Sequence, residues 1–242
     1  MPQDNPKVTI IIPAYNEEER IRPSMEKIIE YVRARGGNME ILVVNDGSLD
    51  KTAEVVETFM KDAPFLRLLN NPQNMGKGRT VQNGVMDARG EYIYFTDADL
   101  STPIEEVDRF LQEIEKYDAV IGSRSMQGAN IVIHEPFYRE ILGKVFCAFV
   151  RLFFVPGFVD TQCGAKMFRR EPARKIFPLV KISRFAFDVE VLYLALKFGY
   201  RVKEMPVTWY YSANTRVRTF IDGPQMLMDL FYMKWAHRNI KS

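Results

Sequence analysis

Asp97 and Asp99 stand two residues apart, directly after the apolar and aromatic run Tyr92-Ile93-Tyr94-Phe95. Such a run predicts a buried strand that ends where the acids begin. In extended chain, residues i and i+2 face the same way and sit about 7 Å apart, so both carboxylates can reach into one cleft. Two hard oxygen ligands there suit Mg2+ or Mn2+ shared with a diphosphate. Ser101-Thr102-Pro103 reads as a helix start, with Thr102 as N-cap and Pro103 at the first helical position. Asp-x-Asp also occurs in ordinary turns and calcium loops. An EF-hand loop opening at Asp97 requires glycine six positions in and glutamate at its end, where this chain has Thr102 and Asp108, so that alternative fails.

The elements that must position these acids are legible on either side. Lys7 to Ile12 predicts a first strand, ended by Pro13-Ala14-Tyr15-Asn16, with Glu17-Glu18-Glu19 opening a helix. Glu40 to Val44 predicts a second strand, ended by Asn45-Asp46-Gly47-Ser48; Ser48 or Asp50 can cap the helix that runs to about Met60. Phe65 to Leu69 is a short third strand, and Asn74-Met75-Gly76-Lys77-Gly78 leads into a helix through Ala88. After the central strand, a helix from Pro103 to Lys116 precedes a strand at Ala119-Val120-Ile121, ended by Gly122-Ser123-Arg124. This alternation predicts an α/β protein with a mostly parallel, doubly wound sheet. Such sheets gather their sites at strand carboxyl ends. That edge collects Asn16, Glu17, Asp46, Ser48, Lys77, Asp97, Asp99 and Arg124. Two nucleotide motifs are excluded. Gly76-Lys77 is not followed directly by Ser or Thr, as a Walker A loop requires, and Val81 stands where a Rossmann fingerprint needs its third glycine.

The second half differs in composition. The 242 residues are 47% hydrophobic with a formal net charge of +2, enough for one large α/β domain and far from disorder. Residues 1–120 carry 14 Lys and Arg against 22 Asp and Glu; residues 121–242 carry 19 against 9. An acidic half suits a metal, and a basic half suits phosphate or an anionic membrane face; nothing points to nucleic acid. Cys147 and Cys163 lack metal spacing and form no disulfide framework, which fits a reducing compartment, and Met1 to Asn5 has no apolar run of the signal-peptide kind. Ser125 to Pro136 reads as a flexible loop. Phe137 to Val159 is amphipathic and basic, and its densest apolar part falls short of the roughly 20 residues that cross a bilayer, so it suits an ordinary core helix as well as an interfacial one. A strand is expected around Lys166, a helix from Phe185-Ala186-Phe187-Asp188-Val189-Glu190 through Phe198, and an edge strand at Arg201 to Trp209 interrupted by Pro206. Ser212 to Thr219, with Arg216 and Arg218, is polar. Pro224 to Ile240 closes as a helix that can dock on the domain, on a second copy in a homo-oligomer, or on a membrane surface.

Taken together, the first-strand IPAYNE, VNDGS, N-x-GKG, DAD, GSR and DTQCG-x-K-x-F occur here in the order found in family 2 glycosyltransferases. Over about residues 7–220 the chain resembles that family and its GT-A (nucleotide-diphospho-sugar transferase) fold. Asp97-Ala98-Asp99, Asp160 to Phe168 and FAFDVE at Phe185 to Glu190 are most similar to its dolichyl-phosphate β-glucosyltransferase and polyprenyl-phosphate branch. The resemblance implies a domain at 1–220, with a nucleotide-binding half at 1–122, an acceptor half at 123–220, and a C-terminal amphipathic helix at 221–242. It implies that Pro13, Ala14, Tyr15, Glu17 and Asp46 hold the nucleotide base and ribose. Gly76, Lys77, Asp97 and Ala98 would also bind the nucleotide sugar. Asp97 and Asp99 would hold the metal, which offsets charge on the departing diphosphate. Arg124 and Arg139 would receive the acceptor phosphate. Arg216 and Arg218 sit where relatives fold a loop over the donor. Asp160 and Asp188, the acids of the second-half motifs, join the catalytic set; Asp188 also suits a helix start.

A lipid monophosphate has a second pKa of about 6 and arrives mostly dianionic, so it needs positioning and charge neutralisation more than a general base. The expected activity is inverting transfer of glucose from UDP-glucose to a polyprenyl (dolichyl-type) phosphate, by a Mg2+- or Mn2+-dependent enzyme peripheral on the cytoplasmic face of a membrane. GDP-mannose or a UDP-N-acetylhexosamine is the alternative donor. A non-catalytic nucleotide-sugar or lipid-phosphate binding protein is the alternative of another class.

Overall fold

The computed structural model describes residues 6–212 and 219–240. In chain order the elements are β1 (Val8–Ala14), α1 (Glu18–Ala34), β2 (Met39–Asn45), α2 (Thr52–Met60), β3 (Leu66–Asn70), α3 (Lys77–Asp87), β4 (Tyr92–Phe95), α4 (Glu106–Ile114) and β5 (Ala119–Ser123). Then follow β6 (Asn130–Ile133), α5 (Phe137–Phe153), β7 (Lys166–Arg169), α6 (Arg170–Ile176), a 3-10 turn (Phe177–Leu179), α7 (Phe187–Lys197), β8 (Val202–Pro206), β9 (Thr208–Tyr210) and α8 (Thr219–Ala236).

Seven strands form one sheet in the order β3-β2-β1-β4-β7-β5-β8, and β6 pairs with β9 in a separate two-stranded sheet. Alternation along each strand sends side chains to opposite faces. Val8, Ile10, Ile12, Tyr92 and Tyr94 pack into one core with α1 and α4; Ile11, Ile93 and Phe95 pack into the other with α3 and α7. Both faces of β1 and β2 are covered, which is why their sequences are near-continuous apolar runs. The ring of Phe95 lies 6.1 Å from that of Phe168, 6.2 Å from Phe177 and 6.1 Å from Phe187, joining the central strand to the second half.

All strand pairs of the large sheet are parallel except those of β7, which runs antiparallel between β4 and β5. In that register Lys166 opposes Phe95 and Ile121. The chain therefore enters β7 at the edge where β4 and β5 leave, and Asp160 to Ala165 is delivered to the carboxyl edge of the parallel strands. A parallel β7 would have put this segment at the other end.

Several boundaries differ from the sequence reading. α4 starts at Glu106, and Thr102 does not cap it: its hydroxyl lies 3.9 Å from the Cys163 thiol, while Pro103 to Glu105 form a turn. Ser125 to Pro136 contains β6, which hydrogen bonding to β9 keeps from being a plain loop. Pro206 ends β8 at the sheet edge, where its missing N–H costs no ladder bond. The closing helix begins at Thr219 and carries Pro224 inside its first turns.

Candidate active site

The loops after β1 and β2 hold each other. The Asn16 N–H donates to Ser48 Oγ at 3.0 Å, and the Leu49 N–H donates to Asn16 Oδ1 at 2.8 Å. The Glu17 N–H donates to Thr52 Oγ1 at 2.8 Å. Ser48 is thereby committed to Asn16, and Asp50 takes the first N–H of α2, from Thr52 at 3.0 Å. Asn16 sits at φ 51°, in the left-handed region that asparagine tolerates better than most residues. Pro13 and Ala14 are the last residues of β1, paired with Val44 and Asn45, and Tyr15 is half-buried just beyond them.

Asp46 is buried and organises the loop that opens α3. Its Oδ1 accepts from the Met75 N–H at 2.8 Å and from Asn71 Nδ2 at 2.9 Å, and its Oδ2 accepts from the Gly76 N–H at 2.9 Å. Gly76 has φ +89°, and a Cβ there would overlap the Ser183 carbonyl, so only glycine fits. Asn71 has no motif around it, and sequence reading missed it.

The two central acids are not two teeth on one strand face. β4 ends at Phe95, and Asp97 to Leu100 is a turn closed by the Leu100 N–H on the Asp97 carbonyl at 3.1 Å. Leu100 pays for the reversal with φ 50°, a cost of about 1–2 kcal/mol for a side chain without local hydrogen bonding. The turn sends the carboxylates to different partners. Asp97 Oδ1 accepts from Lys77 Nζ at 2.5 Å. Desolvation works to raise the Asp97 pKa, but the Lys77 ammonium, with Lys166 and Arg124 beyond it, outweighs this and holds the carboxyl below its ordinary range. Asp99 Oδ1 accepts from the Ser101 N–H at 3.0 Å and from Ser101 Oγ at 2.9 Å, leaving Oδ2 4.0 Å from Arg20 Nη1. Arg20 is itself gripped by Glu17, at 2.6 and 2.7 Å. Ala98 is buried between the two acids.

The second half closes on this turn through Gly164. A Cβ there would overlap the carboxylate of Asp97, so the glycine lets the segment before β7 press against the acid. Four residues earlier lies Asp160, 1% exposed, which holds Arg124 through Nε at 2.7 Å and Nη2 at 3.0 Å. The Trp209 ring lies 5.4 Å from the Arg124 guanidinium carbon. Arg124, Asp160 and Trp209 line a cavity of about 290 Å³ together with Lys144, Glu140 and His134. Its α5 wall is Glu140, Gly143, Lys144 and Cys147; Arg139 is on the same helix, next to Glu140, but outside that wall.

Lys166 is fully buried and donates to Asp188 Oδ1 at 2.6 Å and to the Cys163 carbonyl at 2.5 Å. Asp188 is thus held by Lys166 in the first turn of α7. Lys166 was readable only as a strand residue, because its partner lies 22 positions away. Arg216 and Arg218 lie outside the described residues.

Comparison with known proteins gives this arrangement its relatives. Residues 9–177 match Glycosyl transferase family 2. A dolichyl-phosphate β-glucosyltransferase of Dictyostelium discoideum is 36% identical, covering 98% of this chain and 76% of its own length. One from Trichomonas vaginalis is 40% identical, covering 87% of this chain and 66% of its own length. Among solved structures, the mannosyltransferase from Pyrobaculum calidifontis in complex with GDP-Man and Mn2+ superposes with a TM-score of 0.67 at 23% identity, over 100% of this chain and 67% of that one. The inserted antiparallel strand, the carboxylates at the sheet's edge and these matches lead to one conclusion: the chain belongs to the family 2 glycosyltransferases, is an enzyme of that class, and has the GT-A fold.

Proposed function

We propose that this enzyme transfers glucose from UDP-glucose to a dolichyl-type polyprenyl phosphate at a membrane surface, with inversion at the anomeric carbon. The observation that carries this reading is the pairing of three of the site's carboxylates with cations. Asp97 is paired with Lys77, Asp160 with Arg124 and Asp188 with Lys166. Asp97 and Asp160 are held below the ordinary carboxylate range by their cations and are poor general bases; burial raises the Asp188 pKa, but its Oδ1 is taken up by the Lys166 ammonium. A sugar hydroxyl acceptor needs a general base, whereas a phosphate monoester, with a second pKa of about 6, arrives ionised. The relatives named for dolichyl phosphate support the same acceptor.

In this reading, the loops after β1 and β2 and the turn at Gly76 and Lys77 take the nucleotide. Arg124, fixed by Asp160, offers its guanidinium to the acceptor phosphate in the cavity shared with Lys144 and His134. A phosphate oxygen attacks the anomeric carbon in line as the bond to the diphosphate breaks. The new C–O bond carries the sugar in β linkage, and the electron pair leaves on the nucleoside diphosphate. Lys77 and Arg20 stand on the donor side, where that charge accumulates.

A divalent cation fits Asp99 better than Asp97, because Asp97 is held by Lys77 and Asp99 presents Oδ2 beyond its Ser101 contacts. Among the described residues, no three His, Cys, Asp or Glu side chains gather into a cage. An ion at Asp99 would therefore share ligands with the diphosphate and water, the habit of Mg2+ and also open to Mn2+. When bound it would supply positive charge to the leaving diphosphate.

The membrane part rests on α5 and α8. Phe137, Ile141, Val145 and Leu152 are exposed on α5; Met228, Phe231 and Trp235 are exposed on α8. The buried ring of Phe154, just past the end of α5, meets that of Phe231 at 5.5 Å, which packs the end of α5 against α8. Among the described residues, no helix is long and apolar enough to cross a membrane. A donor panel offered with a polyprenyl phosphate tests the whole reading: labelled glucose should move into the organic phase from UDP-glucose. Product only from GDP-mannose or a UDP-N-acetylhexosamine would overturn the donor, and no lipid product from any donor would overturn the acceptor.

A further inference from the structure

α8 buries a stripe at Met226, Leu230, Met233 and His237, the spacing of one helix face continued into the residue after its end. The first three members enter the core under α7. The fourth is polar and 3% exposed, and such a residue in an apolar stripe requires a partner. The partner is Glu190 of α7, 0% exposed, whose Oε1 lies 2.6 Å from His237 Nε2.

Glu190 does more than satisfy the histidine. Its two carboxylate oxygens accept the N–H groups of Lys181, at 3.0 Å, and Ile182, at 2.8 Å. These hold in place the segment from Lys181 to Ser183. The Ser183 carbonyl in turn accepts the Gly78 N–H at 2.7 Å and forms the wall that only glycine can face at position 76. Lys77 lies between those two glycines and reaches Asp97. The end of α8 is fastened independently: Lys197 Nζ donates to the carbonyls of His237 and Ile240 at 3.0 and 2.9 Å. The contacts run without a gap from the C-terminal helix to the loop that opens α3.

We propose that His237, acting through Glu190, is a positioning residue for the nucleotide-sugar side of the site: it fixes the 181–183 segment against which the Gly76–Gly78 turn is set. His237 touches no reacting atom. The inference rests on the reading that this turn holds the donor. It gives the glutamate of the FAFDVE run a task that Asp188, on the same helix, does not share.

The test is kinetic and binding work on H237A, H237N and H237Q. Asparagine keeps a polar side chain but is too short to reach Glu190; glutamine can place an N–H close to where the imidazole nitrogen sits. Loss of a hydrogen bond to a charged group predicts a rise of about tenfold in donor KM, and in the Kd for UDP by calorimetry, for H237A and H237N. The acceptor KM should stay near wild type, and H237Q should recover most of the loss. A purely structural histidine would lower Tm and leave both KM values unchanged in the folded fraction, which overturns the proposal. H237N carries the test should H237A fail to fold. Wild-type protein without affinity for any nucleotide or nucleotide sugar overturns both the donor reading and this inference. Wild-type affinity kept unchanged in H237A and H237N overturns this inference alone.

Discussion

Asp160 holds Arg124 at three points: Oδ2 accepts from Nε at 2.7 Å and from the Arg124 backbone N–H at 2.9 Å, and Oδ1 accepts from Nη2 at 3.0 Å. Its own backbone N–H is anchored by Glu204 at 2.7 Å, so the acid is fixed before it fixes the arginine. Burial works to raise the Asp160 pKa, but the guanidinium beside it and the backbone donors win and hold it at about 2.

That depression predicts an acid-labile site. The unfolded carboxyl titrates near 4. Between about pH 4 and pH 2 the unfolded chain binds the proton and the folded chain does not, so stability falls as pH falls through this window. The contribution of Asp160 is complete above the unfolded pKa and is worth about 2 kcal/mol there. D160N should lose that pH-dependent part and destabilise at pH 7 by about 2–3 kcal/mol, less than for a fully buried pair because the Arg124 side chain is 27% exposed. Urea unfolding of wild type and D160N at pH 7, 4 and 2.5 measures it; parallel pH profiles would contradict the assignment.

Gly164 predicts a separation of chemistry from stability. In G164A the new methyl overlaps the Asp97 carboxylate. That acid is partly exposed, so it can swing away from Lys77 at modest cost, about 1–3 kcal/mol. Displacing a group that sets the donor-side charge should lower kcat by about a hundredfold or more. Initial rates beside a melting curve check this. A variant as active as wild type would show that Asp97 need not stay where Gly164 puts it.

How much of this was legible beforehand depends on how local each signal is. The strands, their order of appearance and the acids at their ends follow from apolar runs and from turn residues beside them. The carboxylates' geometry did not follow: reading Asp97 and Asp99 as alternate residues of a strand assumed extended chain, and the left-handed Leu100 turns it into a reversal. The antiparallel run of β7 was hidden as well, since four residues carry no mark of direction. Lys166 and Glu190 find partners through tertiary packing, so their sequence neighbours give no sign of them. His237 was missed as well, since it lies in no recognisable motif and its burial in the stripe of α8 shows only in the fold.

Asp99 predicts the metal dependence. D99A removes the carboxylate proposed to hold the cation, whose Oδ2 faces the Arg20 guanidinium at 4.0 Å, and should weaken UDP binding only when Mn2+ or Mg2+ is present. Turnover should fall by about 10²–10³-fold, the scale for losing one preorganised charge contact to a developing anion. Calorimetry with UDP, with and without the cation, separates this from a folding defect. Equal UDP affinity in wild type with and without chelator would refute the cation's role.

The exposed faces of α5 and α8 predict how the protein meets lipid. Phe137 is 78% exposed and Leu152 is 73% exposed on α5, and Phe231 and Trp235 extend the apolar surface on α8. The proposed polyprenyl phosphate acceptor would keep its tail in the bilayer, so on that reading the cavity at Arg124 would have to lie close to the surface for the phosphate to reach it. α5 forms one wall of that cavity and presents apolar side chains outward, which meets both demands. The basic residues of the second half should favour anionic lipid, each Lys or Arg near the surface adding about 1 kcal/mol, and this part should weaken as salt shortens the Debye length. The apolar part should persist. Flotation with anionic vesicles should therefore carry the protein upward at low salt, and high salt should release only a fraction. F137E and F231E should each lower the vesicle affinity by about tenfold while leaving UDP affinity intact. Protein that stays at the bottom of the gradient at low salt, with the same faces found buried between two copies by light scattering, would replace the membrane with a homo-oligomer.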